Sequence, residues 1–100
     1  MADICIAPAR RPAHPGRILK SIMREGDIAV ARLARHLRIS RQTLYDLMEE
    51  KRSVSVDMAA RLSLAFENSA RFWLNLQANH DAWGAERAAE KLNIGPFAVA

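Results

Sequence analysis

No proline interrupts the eighty residues between Pro15 and Pro96. A proline inside a helix removes a backbone donor and clashes with the preceding turn, so a stretch this long without one leaves helices unobstructed. The residues that fill it are mainly Ala, Leu, Arg and Glu, which lose little freedom on entering a helix. β-branched residues are sparse, and no segment alternates apolar and polar side chains over strand length. These features predict an all-α chain. Its one hundred residues are half hydrophobic, enough for a single core without staples.

Local signals divide the stretch into five helices. Pro15 suits the first helical position, where a missing N–H costs nothing, with His14 before it as a cap. Ile18, Leu19, Ile22 and Met23 form the apolar stripe of this first helix, and Gly26 stops it. A short second helix is predicted over residues 29–37, burying Leu33, Ala34 and Leu37. Ser40 caps a third, whose buried face is Leu44, Leu47 and Met48. Ser55 caps a fourth, with Asp57 in its first turn and Met58, Leu62, Ala65 and Phe66 inward; Asn68 is expected to end it. Ser69 caps a fifth over residues 70–91, with a stripe of Trp73, Leu76, His80 and Trp83. At 1.5 Å per residue the fifth helix is about 33 Å long, more than a small core needs. Its far half, with His80, Trp83 and Arg87, is the candidate dimer interface. Gly84 is expected to kink or fray it. Residues 1–13 read as a flexible arm, of which 1–12 are expected to be poorly ordered unless a partner holds them, 14–93 as the domain, and 94–100 as a tail.

Charge and reactive residues narrow the function. Fifteen Lys and Arg stand against eleven Asp and Glu, a net charge of +4 that suits a polyanionic partner. The single cysteine, Cys5, cannot form an internal disulfide, which fits a reducing, cytoplasmic setting. No run of about eighteen apolar residues points to a membrane span, and the first twelve residues lack a signal peptide's apolar region. His14, His36 and His80 lie far apart, with no metal-ligand spacing, glycine-rich phosphate loop or paired-carboxylate cleft. The expectation is therefore no catalytic residue, no metal and no cofactor: this is not an enzyme.

Residues 30–49 carry the strongest functional pattern. Two short helices joined by a three-to-four-residue turn need a small residue where they touch, here Ala34. Leu33, Leu37, Ile39, Leu44 and Leu47 close the wedge between them. The third helix then exposes Arg41, Gln42, Tyr45, Asp46 and Glu49 as one stripe. In a helix-turn-helix the N-terminal residues of the second helix reach base edges in the major groove. Arg41 matches guanine and Gln42 matches adenine, each in bidentate fashion. Tyr45 reaches a phosphate or a thymine methyl, and Thr43 and Asp46 complete the base-reading candidates. Arg38, Ser40, Lys51 and Arg52 flank the helix where the phosphate backbone would pass. The competing reading is two packed helices with a solvated charged face.

His14-Pro15-Gly16 followed by Ile18-Leu19 resembles the opening of HigA-type antitoxins, within the wider VapI-like and Xre-like helix-turn-helix group. Ser40-Arg41-Gln42-Thr43-Leu44 followed by Lys51-Arg52 resembles their recognition helix and the loop after it. Asp57-Met58-Ala59-Ala60-Arg61-Leu62 and the Phe72-Trp73-Leu74-Asn75-Leu76-Gln77 run complete the likeness, which covers about residues 14–84. The resemblance implies a five-helix, lambda-repressor-like domain. It further implies a homodimer on double-stranded operator DNA, repression of its own operon, and an mRNA-cleaving, HigB/RelE-like toxin as partner. Three departures, at five positions, separate the chain from the family pattern. Arg38 stands where glycine is usual at the turn, at a cost of about 1 kcal/mol if the backbone there is left-handed. Ala29 and Val30 replace a Ser or Thr cap and a Gln. Glu49-Glu50 replaces Asn-Gly before the basic pair, placing two carboxylates near the DNA backbone. Two alternatives share the same pattern: an orphan Xre-like regulator without a toxin, and an interaction module that has lost DNA binding.

Overall fold

The computed structural model describes residues 10–98. It contains five helices in chain order: α1 (Pro15–Glu25), α2 (Val30–Leu37), α3 (Arg41–Met48), α4 (Val56–Phe66) and α5 (Ala70–Lys91). No strand occurs among the described residues. This is the all-α, five-helix architecture with a long last helix that the sequence predicts.

The caps explain most of the boundaries. The His14 ring nitrogen Nδ1 accepts a hydrogen bond from the Gly16 backbone N–H at 2.9 Å, so His14 does cap α1. Ser40, Ser55 and Ser69 accept from the N–H groups of Thr43, Met58 and Phe72, at 3.0, 3.1 and 3.0 Å. Each satisfies one of the donors that a helix start leaves over. Only α2 begins without a side-chain cap, because Ala29 stands at that position.

Gly26 stops α1 as expected, while the end of α4 and the course of α5 differ from the expectations. Gly26 lies past the end of α1 with φ −90°, and the left-handed residue is Asp27 at φ 52°. α4 ends at Phe66 with Glu67 left-handed at φ 55°. Asn68 does not end the helix; its Oδ1 accepts from the Trp73 indole N–H at 2.8 Å. Gly84 does not end α5, which runs unbroken through it.

The core draws on all five helices. Leu19 of α1, Leu44 and Leu47 of α3, Leu62 of α4 and Trp73 of α5 are completely buried. Each buried leucine contributes roughly 1.5–3 kcal/mol by leaving water. Ala34 is buried where α2 meets its neighbours. α1 and α3 approach so closely that a Cβ on Gly16 would overlap the Leu47 carbonyl oxygen.

α5 serves two environments. Trp73 and Gln77 are its buried residues, and nothing beyond Gln77 is fully buried. Gln77 is the inward-facing residue that the apolar stripe does not include. Its Oε1 accepts from the Val54 backbone N–H at 2.8 Å, and its Nε2 donates to Asp81 at 3.0 Å. The bond anchors the loop between α3 and α4. His80 and Trp83 are half-buried, with Arg11 and Pro12 beside them. The Arg11 Nε donates to the His80 carbonyl at 3.1 Å, and His80 Nδ1 lies 2.9 Å from the Pro12 carbonyl. A carbonyl only accepts, so this ring nitrogen carries the proton. The Arg11 guanidinium occupies the space a Cβ on Gly84 would need. The described end of the arm thus lies along α5; residues 1–9 are outside the described part.

Candidate nucleic-acid interface

α2 and α3 are eight residues each and meet through the turn Arg38-Ile39-Ser40. Arg38 is left-handed, at φ 61° and ψ 44°. The Ile39 N–H reaches back to the Ala34 carbonyl at 3.0 Å, closing the end of α2. A side chain from a distant helix reinforces this turn. Arg61 of α4 donates from Nη1 to the Leu37 carbonyl at 2.7 Å and to the Arg38 carbonyl at 3.3 Å. Its Nε pairs with Asp57 at 2.7 Å. A guanidinium suits this place because its planar fork offers several donors to carbonyls left over at a helix end. Sequence reasoning places Arg61 only inside a family-like run. No local signal links it to a turn 23 residues earlier.

α3 presents the predicted stripe. Arg41, Gln42, Tyr45 and Glu49 are exposed, and Asp46 and Thr43 are half-buried. The Ser40 hydroxyl caps α3 and bonds the Thr43 hydroxyl at 2.8 Å. Gln42 Nε2 donates to Asp46 Oδ1 at 2.8 Å. Arg41 and Tyr45 make no side-chain hydrogen bond among the described residues. Lys51 and Arg52 are exposed in the loop after α3, and Lys51 pairs with Glu49 at 3.2 Å. An exposed pair of this kind contributes little to stability, so Lys51 is available to other anions.

The three interface candidates on α5 lie together. The Arg87 guanidinium stands 4.5 Å from the Trp83 ring centre, with Arg11 on the same ring at 5.9 Å. His80 meets the buried His14 ring edge-on at 5.0 Å. Burial pushes the His14 pKa below its ordinary value. The His80 ring and Arg11 act in the same direction, while Glu50 and Asp81 oppose them. Among the described residues no group of three or more His, Cys, Asp or Glu side chains is placed to hold a metal ion. None of the described helices is long and apolar enough to cross a membrane.

Two short helices crossing through a tight turn, with an exposed polar stripe on the second and basic residues at its flanks, define a helix-turn-helix protein. The chain is 38% identical over 93 residues to virulence-associated protein A′ of Dichelobacter nodosus, covering 89% of this chain and 81% of that one. It superposes on the Pseudomonas aeruginosa antitoxin HigA, solved with the higBA promoter, with a TM-score of 0.73 and 41% identity over 88% of this chain and all of that one. Antitoxin GraA in complex with its operator matches with a TM-score of 0.79 and 35% identity, covering 96% and 100% of the two chains. No family model matches the chain. The chain belongs to the HigA-type antitoxins of the helix-turn-helix family. Its relatives are DNA-binding antitoxins and transcriptional regulators, not enzymes.

Proposed function

We propose that this protein binds its own operator as a homodimer, represses its operon, and neutralises a HigB/RelE-like, mRNA-cleaving toxin. The observation that carries the DNA reading is the N-capped start of α3, where Arg41 and Gln42 project into solvent together. HigA and GraA, with the same fold, were solved on a promoter and an operator. Arg41, Gln42, Thr43, Tyr45 and Asp46 form the base-facing set; Arg38, Ser40, Lys51 and Arg52 face phosphate. Two-fold symmetry sets paired half-sites about 34–36 Å apart. Trp83, His80 and Arg87 are the candidate dimer contacts, and the toxin partner rests on membership of an antitoxin family.

A salt titration on operator and random DNA tests the DNA reading. Arg41→Ala and Gln42→Ala are expected to lose roughly 1–3 kcal/mol on operator alone. Arg52→Ala is expected to weaken both and to lower the salt slope by about one. Equal losses on both DNAs from the α3 variants would refute base reading by α3. Co-purification with the product of the neighbouring gene, followed by an RNA-cleavage assay, tests the toxin reading. No bound toxin would leave the orphan regulator.

A further inference from the structure

We propose that Asp46 is a positioning residue: its carboxylate orients the Gln42 amide and thereby makes the contact at Gln42 selective for adenine. This inference rests on α3 being the base-reading helix.

Gln42 and Asp46 lie one turn apart on the same face of α3, at the i, i+4 spacing that brings side chains together. Gln42 is exposed and Asp46 half-buried, and the bond between their side chains lies at the surface of α3. The 2.8 Å bond runs from Gln42 Nε2 to Asp46 Oδ1. An ionised carboxylate only accepts hydrogen bonds, whereas a glutamine amide has a donating end and an accepting end. Only one of the two amide orientations satisfies that neighbour. With Asp46 in place, the nitrogen is drawn toward the carboxylate. One amide hydrogen is then used, and the second hydrogen and Oε1 remain. Those are the donor and acceptor that adenine's N7 and N6 amino group require in the major groove. The remaining neighbours leave the pair intact. Ser40 and Thr43 bond each other, and Lys51 pairs with Glu49. In the groove, where water is displaced, a charge-assisted bond of this kind strengthens.

The alternative role for Asp46 is to accept directly from a cytosine amino group. Single-base-pair libraries of the operator separate the two roles. Wild type, Asp46→Asn, Gln42→Ala and the double variant would be compared, with circular dichroism as the check on folding. Asparagine at 46 can donate as well as accept, so it supports both amide orientations. The expected result is an adenine preference of about tenfold at one base pair in wild type. In Asp46→Asn it falls to about threefold or less, while binding to random DNA tightens from the lost negative charge. In the Gln42→Ala background, Asp46→Asn is expected to change no base preference further. An unchanged adenine preference in Asp46→Asn overturns the proposal, as does a preference lost at a different base pair, which would assign direct reading to Asp46. If Gln42→Ala itself leaves every preference unchanged, base reading by Gln42 fails as well, a result distinct from failure of Asp46 alone.

Discussion

The two turns that bracket α3 close with the same backbone pattern but are held in place by different means. In each, an N–H reaches back five residues: Ile39 to Ala34 at 3.0 Å before α3, and Lys51 to Asp46 at 2.8 Å after it. Each contains a left-handed non-glycine residue, Arg38 at φ 61° and Glu50 at φ 64°. The first turn is held by a side chain, Arg61, which reaches across from α4. The second lies where α1 packs main chain against main chain, with Gly16 against the Leu47 carbonyl, and the Gln77 side chain holds the loop only further on, at Val54. A side-chain clamp can be removed with modest loss, because water replaces it. A close backbone approach cannot relax without moving a helix.

That contrast sets the order of expected effects. Gly16→Ala is the largest: its methyl group would force α1 and α3 apart, costing about 3 kcal/mol, on the order of 10 °C or more in Tm. A thermal melt checks it, and a wild-type Tm would show that the two helices separate freely. Arg61→Ala comes next, at about 1–2 kcal/mol, because its charged hydrogen bonds are only partly buried. Its loss on operator DNA should exceed what the change in folded fraction explains, since the start of α3 is displaced. A loss fully explained by unfolding would make Arg61 structural only.

Arg38→Gly and Glu50→Gly should each stabilise the fold by about 1 kcal/mol, since glycine enters the left-handed region without strain. On DNA they are expected to part. Arg38→Gly removes a phosphate partner and lowers the salt slope by about one, whereas Glu50→Gly removes a repelling carboxylate and tightens binding. Parallel changes in DNA affinity would erase the functional difference between the turns.

The smallest effect concerns pH. His14 caps α1 through an unprotonated Nδ1, and its folded pKa lies below the ordinary 6.5. Just below that pH the unfolded chain binds more protons than the folded one. Stability from this group is therefore full above 6.5 and declines as pH falls toward the folded pKa. His14→Asn keeps a capping acceptor and should remove this contribution from the slope. An unchanged slope in urea melts between pH 7 and 5 would exclude His14 as the source.

What was legible in the sequence was mostly local. Ser40, Ser55 and Ser69 mark three helix starts, because a cap acts within three residues of itself. The exposed stripe of α3 follows from 3.6-residue periodicity once Leu44 and Leu47 are placed inside. The left-handed turn at Arg38 came from the family pattern, and the structure has it. The end of α1 at Gly26 was legible, and the exact end of α4 was less so. Either of two neighbouring residues can carry the left-handed turn, and it falls on Asp27 rather than Gly26 and on Glu67 rather than Asn68.

By itself, then, the sequence determined five helices, their caps, a single core and the polar face of α3, since each depends on interactions within one or two turns. The tertiary structure alone decided that Arg61 holds the turn before α3, that Gln77 ties down the loop after it, and that Arg11 lies across Gly84. These contacts join residues 23 to 73 positions apart, and no local period or propensity encodes such a distance. They exist only because the core first brings α4, α5 and the arm beside elements whose free carbonyls, N–H groups and open surface they then fill.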